Sequence, residues 1–161
     1  MSAGGDAFDA LYRAHAPSVF RRARRLLGAD SDARDVVSEV CLSLFERPTQ
    51  YAGASALSTF LYSMTTHACL NRIRSHKRRS QPSARERAAA VLGTAPPAPD
   101  SLLELRRLLE ALPHSLAQVA VYYYLDELSQ REIAEIMGCS RRHVGDLLVR
   151  LRATIAEEKS A

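Results

Sequence analysis

The sequence predicts an all-α protein of two small helical domains joined by a flexible linker, the C-terminal domain containing a helix-turn-helix. Apolar residues recur at helical spacing through most of the chain, and no segment alternates as a strand would. A stretch rich in proline and small residues divides the chain. The 161 residues can bury one modest core or two small ones. We therefore place the domains at 1–79 and 101–161, with the linker at 80–100.

Three helices are predicted in the first domain. The first covers residues 6–27, with a break or a new start near Pro17, because proline interrupts a helix interior. The second covers 30–46, with a capping side chain among its first three residues, and ends before a proline. The third is capped by Ser55 or Ser58 and runs into a basic cluster.

The strongest local pattern lies in the second domain, in SQREIAEIMGCSRRHVGDLLVRL at 129–151. Ala134 and Gly138 stand where a helix-turn-helix needs small residues, since a small side chain lets the helices approach and glycine tolerates a positive φ. Ile133, Met137, Cys139, Val144 and Leu147 fall at its buried positions. The alternative is a corner of similar shape in an ordinary helical protein.

The second helix of this motif carries the candidate DNA-binding residues of the C-terminal domain. Ser140 would cap it, placing arginines at its outward N-terminal end, where recognition helices meet base edges. Arginine can take the paired acceptors of guanine, whereas Asp146 is either a surface residue or an acceptor for cytosine. The candidates, including phosphate contacts, are Arg131, Ser140, Arg141, Arg142, His143, Asp146 and Arg150.

Charge is unevenly distributed along a chain whose net charge is only +4. No Asp or Glu occurs from Arg47 to Arg85, a stretch that holds a basic cluster suited to a polyanion. Residues 30–46 carry five acidic residues against the single Arg34. The two surfaces indicate two different partners, although a solvated helix face is the ordinary origin of such a charge run.

Several classes of protein are disfavoured by the sequence. No apolar run approaches the roughly 20 residues of a membrane span, and the N-terminus lacks the order of a signal peptide, so we expect a cytoplasmic protein. Cys41, Cys69 and Cys139 are far apart and odd in number, which favours reduced thiols over disulfides or zinc. We find no phosphate-binding glycine loop, nucleophile–base pair or paired metal carboxylates, and expect neither an enzyme nor a cofactor.

The two halves together resemble the extracytoplasmic-function (ECF) sigma factors, the compact group that retains only conserved regions two and four. The segment DVVSEV at 35–40 is similar to the D-L-x-Q-E-x-F pattern by which region two docks on the clamp helices of the polymerase β′ subunit, with Ser38 in place of the usual Gln. The resemblance implies a polymerase-binding face of Asp35, Ser38, Glu39 and Leu42. An ordinary acidic solvent face is the alternative.

The segment FLYSMTTH at 60–67 resembles W-L-Y-R-I-A-x-N, which in the family opens the promoter and reads its minus-ten element. Three positions depart from the family's Trp, Arg and Asn, and carry Phe60, Ser63 and His67. Separated bases need aromatic stacking faces, which Tyr51 in the preceding loop could supply, while Phe60 and Tyr62 could equally be core residues. The implied DNA-binding set is Tyr51, Phe60, Tyr62, His67, Asn71, Arg72, Arg74, Lys77, Arg78 and Arg79.

The C-terminal motif resembles region four, which reads the minus-thirty-five element and touches the β flap. The positions that match its Y-x-E-I-A-x-x-x-G-x-S-x-x-T-V core are Ser129, Glu132, Ile133, Ala134, Gly138, Ser140 and Val144. Gly145 and Asp146 follow where the family places Lys or Ser with Arg, so we expect an unusual sequence preference. The resemblance implies core RNA polymerase and promoter DNA as partners, and an anti-sigma factor as a further one.

These observations favour a sigma factor that binds core polymerase and directs promoter-specific initiation. Two other functions stay open on the sequence alone: a stand-alone helix-turn-helix regulator that binds duplex DNA as a dimer, and a sigma-like decoy that occupies polymerase without opening DNA. Self-association is also open, because apolar surface between the domains could close them together in the free state.

Overall fold

The computed structural model describes residues 3–47, 49, 56–78 and 100–160, and all regular secondary structure within these residues is helical. The helices, in chain order, are α1 (Ala3–Leu27), α2 (Asp30–Glu46), α3 (Leu57–Arg78), α4 (Asp100–Ala111), α5 (His114–Ala120), α6 (Gln130–Met137) and α7 (Arg141–Ser160). The prediction of an all-α protein with two helical parts is confirmed. Residues 79–99, which hold almost all of the predicted linker, lie outside the described part.

Helix α1 runs unbroken through Pro17, so the predicted break is wrong. Tertiary contacts on both sides of the proline explain this. On the N-terminal side the Phe8 ring meets the edge of Phe45 on α2, with the ring centroids 5.4 Å apart. On the C-terminal side Val19 and Ala23 are buried in the core. These contacts hold the helix in place on both sides of Pro17. The proline itself is exposed, so it interrupts the helical hydrogen bonds only on the solvent-facing side of α1.

The corner between α1 and α2 is set by backbone conformation and charge. Gly28 ends α1 with a left-handed φ of 77°, and its N–H donates to the Arg24 carbonyl oxygen at 2.9 Å. Helix α2 begins at Asp30 as predicted, but no side chain caps it. The Asp30 carboxylate instead pairs with the Arg24 guanidinium. Acidic residues in the first turn still complement the helix dipole.

Helix α3 begins at Leu57, which places Ser58 inside the helix rather than at its cap. Ser55, the alternative cap, lies outside the described residues. The helix is buried on more than one side, because it packs against α1 and α2 and also against helices of the C-terminal half. The fully buried side chains of Cys69, Leu70 and Ile73 follow from this central position.

Helix α5 passes directly into one π-helical turn, Val121–Leu125. The Asp126 N–H donates to the Val121 carbonyl oxygen at 3.1 Å, and the Leu128 N–H donates to that of Tyr122 at 3.0 Å. Such wide turns are uncommon and frequently lie at functional positions. Tyr122 is fully buried here, and apolar residues of both halves join in one continuous core. The two halves therefore pack against each other in this structure.

Candidate functional site

The first helix of the C-terminal motif begins with a capping box. The Ser129 hydroxyl accepts from the Glu132 N–H at 3.3 Å, and the Glu132 carboxylate accepts from the Ser129 N–H at 2.8 Å. These hydrogen bonds with Ser129 lower the pKa of Glu132 from its ordinary value. The S-x-x-E spacing is a known signal of this arrangement, which our reading of the sequence did not use.

The turn between α6 and α7 has the backbone conformation that the sequence predicts. Gly138 adopts φ 64° and ψ 35°, and its N–H donates to the carbonyl of Ala134. Ile133 and Ala134 on α6 are buried against α7. Met137 and Cys139, which were also expected in the core, are only half-buried. The helix-turn-helix is therefore present, and its fully buried side chains lie within the helices rather than next to the turn.

The second helix presents its N-terminal end to solvent. The Ser140 hydroxyl accepts from the His143 N–H at 3.1 Å, so the predicted cap is confirmed. The predicted DNA-reading side chains are all exposed: Arg131, Ser140, Arg141, Arg142, His143, Asp146 and Arg150. Val144 and Leu147 face the core from the opposite side of the helix. The structure thus separates a buried face from a free face that carries both positive and negative charge.

The acidic face of α2 is exposed as its periodicity predicts. Asp35, Ser38, Glu39 and Leu42 all lie at the surface, with Leu42 exposed to 48%. Leu42 does not stand alone, because Phe45 follows one turn later and is also exposed. Phe45 contacts Phe8, whose ring centroid lies 6.0 Å from that of Tyr12. We name Phe8, Tyr12, Leu42 and Phe45 the apolar patch. Sequence reasoning missed its extension to Phe45, although the spacing from Leu42 pointed to it.

Arg72 belongs to the acidic face rather than to a free basic surface. One of its terminal nitrogens lies 3.7 Å from the Asp35 carboxylate and the other 3.6 Å from that of Glu39. Because both carboxylates are more than half exposed, these contacts add little stability. They do neutralise part of the charge on α2, and they place one predicted DNA contact beside the predicted polymerase contacts.

A groove of about 550 Å³ between α2 and α3 collects three of the predicted DNA-binding residues. Phe60, His67 and Asn71 line its α3 side, and Glu39 lies on its α2 side. Phe60 is half-buried, and Asn71 is exposed. An aromatic ring, an imidazole and an amide in one groove suit stacking and hydrogen bonding to an unpaired base. The groove also adjoins the acidic face through Glu39.

The remaining α3 candidates face the C-terminal half. Tyr62 stacks on Tyr122, with the ring centroids 5.6 Å apart, and the Arg22 guanidinium lies 3.8 Å from the centre of its ring. Arg74 donates to the Leu112 carbonyl oxygen at 2.7 Å. Neither side chain is free to meet a ligand in this arrangement. The backbones of Lys77 and Arg78 lie in the last turn of α3, while Tyr51 and Arg79 lie outside the described residues.

His67 also takes part in a polar contact between the halves. Its Nε2 lies 2.7 Å from the amide nitrogen of Gln118, and its Nδ1 lies 2.8 Å from His114 Nε2. An amide nitrogen can only donate, so this arrangement suits a neutral His67 whose proton is on Nδ1. Burial lowers the pKa of His67, and burial together with His67 and Arg74 lowers that of His114.

All three cysteines are free thiols, and Cys139 is half-buried. Cys41 and Cys69 are buried, and burial raises the pKa of the Cys69 thiol to about 12. Over the described ranges, no three His, Cys, Asp or Glu side chains come together as metal ligands would. Nor does any helix in those ranges have the length and apolar character needed to cross a membrane.

The comparisons with known proteins agree with this geometry. The family model for sigma-70 region 2 matches residues 11–79, and the model for sigma-70 region 4 matches residues 102–155. Two relatives, each described as ECF RNA polymerase sigma factor SigM, come from the Erdman and H37Rv strains of Mycobacterium tuberculosis. Each is 25% identical over 150 residues, which cover 93% of this chain and 76% of the relative.

A helical region two and a helix-turn-helix region four on one chain define a class of DNA-binding proteins that act with RNA polymerase. The chain belongs to the sigma-70 family and is a sigma factor that directs transcription initiation. Its family consists of DNA-binding regulators that are not enzymes. RNA polymerase and promoter DNA are its binding partners as a member of that family.

Proposed function

We propose that the acidic face of α2, together with the apolar patch, docks the protein on the clamp helices of the polymerase β′ subunit. The exposure of Leu42 between carboxylates supports this proposal most directly. An apolar centre with a polar and charged rim is the usual composition of a protein–protein interface. Asp35 and Glu39 would add electrostatic complementarity to a basic partner and would fix the orientation of docking.

Charge reversal tests the docking face. We expect the double variant Asp35→Arg with Glu39→Arg to lose co-elution with bacterial core RNA polymerase in size-exclusion chromatography. A matched control reverses two exposed carboxylates at the end of α7, Glu157→Arg with Glu158→Arg, and should still co-elute. Both doubles should keep the helical circular dichroism of the wild type, since all four residues are at the surface. Retained binding by the α2 double variant would overturn the docking proposal.

We further propose that the groove between α2 and α3 receives an unpaired base of the opened minus-ten strand. Phe60 would stack on the base, and Asn71 would bond its edge. His67 would join Asn71 only when its contacts with Gln118 and His114 are broken. His67 replaces the family's Asn, so base choice would differ from that of typical relatives. The basic end of α3 would hold the strand's phosphates.

In the C-terminal half we propose that Arg141 and Arg142 read the duplex minus-thirty-five element from the exposed end of α7. Arg131 and Arg150 would contact phosphates, and this half would also touch the β flap. The protein would act in the cytoplasm, where polymerase and promoters are. An anti-sigma factor is proposed as a further partner on the strength of the family alone.

A further inference from the structure

A cavity of about 690 Å³ lies between the end of α1, the start of α3 and the segment that leads into α6. The N-terminal half lines it with Arg25 and the first turns of α3, and the C-terminal half lines it with residues 125–128 and Ile136. Its volume is in the range of pockets that hold small molecules, and such pockets are frequent where two domains meet. The cavity shares no lining residue with the groove between α2 and α3.

The positive charge of Arg25 is not compensated at the wall of this cavity. Its nearest carboxylate, that of Asp126 at 3.8 Å, already belongs to another arginine. The Arg22 guanidinium donates to Asp126 through both terminal nitrogens, at 2.6 and 2.9 Å, and the two side chains are only 9% and 7% exposed. Arg25 itself donates to the Leu125 carbonyl oxygen at 2.7 Å. A neutral carbonyl orients the guanidinium without balancing its charge.

A negative charge without a partner lines the same cavity. The Glu127 carboxylate has no hydrogen bond or ion pair with any residue in the described part of the chain, and so does not pair with Arg25. The Glu127 backbone has a φ of 54°, and in the described ranges it is the one non-glycine residue with a positive φ. Residues held in such costly conformations are concentrated at functional sites. The cavity therefore presents one free charge of each sign.

The remaining walls add hydrogen-bond donors on one side and apolar surface on the other. The hydroxyl groups of Ser58 and Thr59 line the cavity at the start of α3, and no acidic residue occupies the first turn of that helix. Hydroxyl donors and the positive end of a helix dipole both favour an anionic group. Leu128 and Ile136, both half-buried, supply apolar surface from the C-terminal half.

We propose that this cavity binds a small zwitterion, namely a free amino acid with an apolar side chain. The carboxylate of the ligand meets Arg25 and the start of α3, and its ammonium group meets Glu127. Its side chain packs on Leu128 and Ile136. A ligand with only one charge leaves one of the two protein charges without a partner as water is displaced, whereas a zwitterion compensates both. The site gives the protein a means of responding to a free amino acid.

An NMR titration of the isotope-labelled full chain with L-leucine tests the site and the ligand together. L-leucine at millimolar concentration should shift the backbone amide signals of residues 58–59 and 125–128 more than those elsewhere. Two analogues each lack one charge: isopentylamine has no carboxylate, and isocaproate has no ammonium group. Because a charged hydrogen bond is lost in each case, both analogues should bind about tenfold more weakly than L-leucine. The same titration is repeated with each of the other standard amino acids.

Two substitutions at the cavity should give different patterns of binding. Glu127→Gln should weaken L-leucine binding by about tenfold and should not weaken isocaproate binding, since isocaproate has no group for Glu127. Ser58→Glu should abolish L-leucine binding by repelling its carboxylate, although a carboxylate in the first turn favours the helix itself. Glu135→Gln, on α6 and outside the cavity, is the matched control and should bind L-leucine as the wild type does. All three side chains are exposed, so each variant should keep the helical circular dichroism of the wild type.

Four results would overturn the proposal. They are the absence of any shift with every standard amino acid, shifts that lie away from the cavity, an analogue with one charge that binds as tightly as the zwitterion, and a Glu127→Gln protein that binds as the wild type does. Each of these measurements uses the free protein without polymerase or DNA. A failure of the function proposed above would therefore leave the outcome of this test unchanged.

Discussion

Replacing Gly138 with alanine should destabilise the helix-turn-helix through its backbone alone. Gly138 has φ 64° and ψ 35°, in the left-handed region, and a Cβ built on it meets no atom within 4 Å. Overlap with neighbouring side chains is therefore not the cause of any loss. The remaining penalty is that of an L-residue in this conformation, about 1–2 kcal/mol in the free energy of unfolding.

Gly145→Ala is the matched control and should change stability in the opposite direction. Gly145 lies inside α7, where the atom nearest to an added Cβ is the Gln130 side-chain oxygen at 3.7 Å, an ordinary contact. Alanine in place of glycine inside a helix stabilises it by roughly 0.5–1 kcal/mol. The same added methyl group is thus expected to be harmful in the turn and helpful in the helix.

Thermal unfolding followed by circular dichroism measures both effects. For a chain of this length, 1 kcal/mol shifts Tm by about 2–4 °C. We expect Tm to fall by about 2–8 °C for Gly138→Ala and to rise by about 1–4 °C for Gly145→Ala. A rise, or no change, for Gly138→Ala would refute the argument that the turn requires glycine for its positive φ.

The remaining predictions concern the cap, the interface and the DNA-reading end of α7. Ser129→Ala should lose the capping box and about 1 kcal/mol in the free energy of unfolding, so an unchanged urea midpoint would contradict the role of the cap. The histidine contact should weaken in acid. Burial in the contact between the two halves holds the pKa values of His67 and His114 below their ordinary 6.5. Halves that are apart therefore bind more protons, and the contact between them is lost as pH falls below about 6.5. Arg74, which also lowers the pKa of His114, adds to the repulsion once the histidines are charged. The radius of gyration should therefore increase between pH 7.5 and 5.5, and His114→Gln should reduce that change. Arg141→Ala should lose about 1–3 kcal/mol of binding to the cognate upstream element, whereas an equal loss on every DNA sequence would make it a phosphate contact.

The helix-turn-helix was predictable because its determinants are local. A small residue, a glycine and a serine at fixed spacing specify the approach of the helices, the turn and the cap, and all three are found in those roles at Ala134, Gly138 and Ser140. The exposure of the α2 acidic face followed from helical periodicity for the same reason.

The errors arise where tertiary contacts decide. Pro17 satisfies the local rule for a helix break, but packing on both sides of it keeps α1 continuous. Arg22 and Asp126 are 104 residues apart, and neither belongs to a local pattern, so nothing in the sequence indicated their contact. On the sequence alone Tyr62 fits either DNA binding or the core, and the structure places it in the contact between the halves.

Transcription reconstituted from core polymerase, this protein and genomic DNA of the organism that encodes it would test the assignment as a sigma factor most directly. We expect transcripts whose 5′ ends are discrete, depend on the added protein, and lie downstream of a shared pair of sequence elements. The Asp35→Arg with Glu39→Arg protein should give none of them. Identical transcripts with and without the wild-type protein, under conditions where it binds polymerase, would contradict its role in promoter selection.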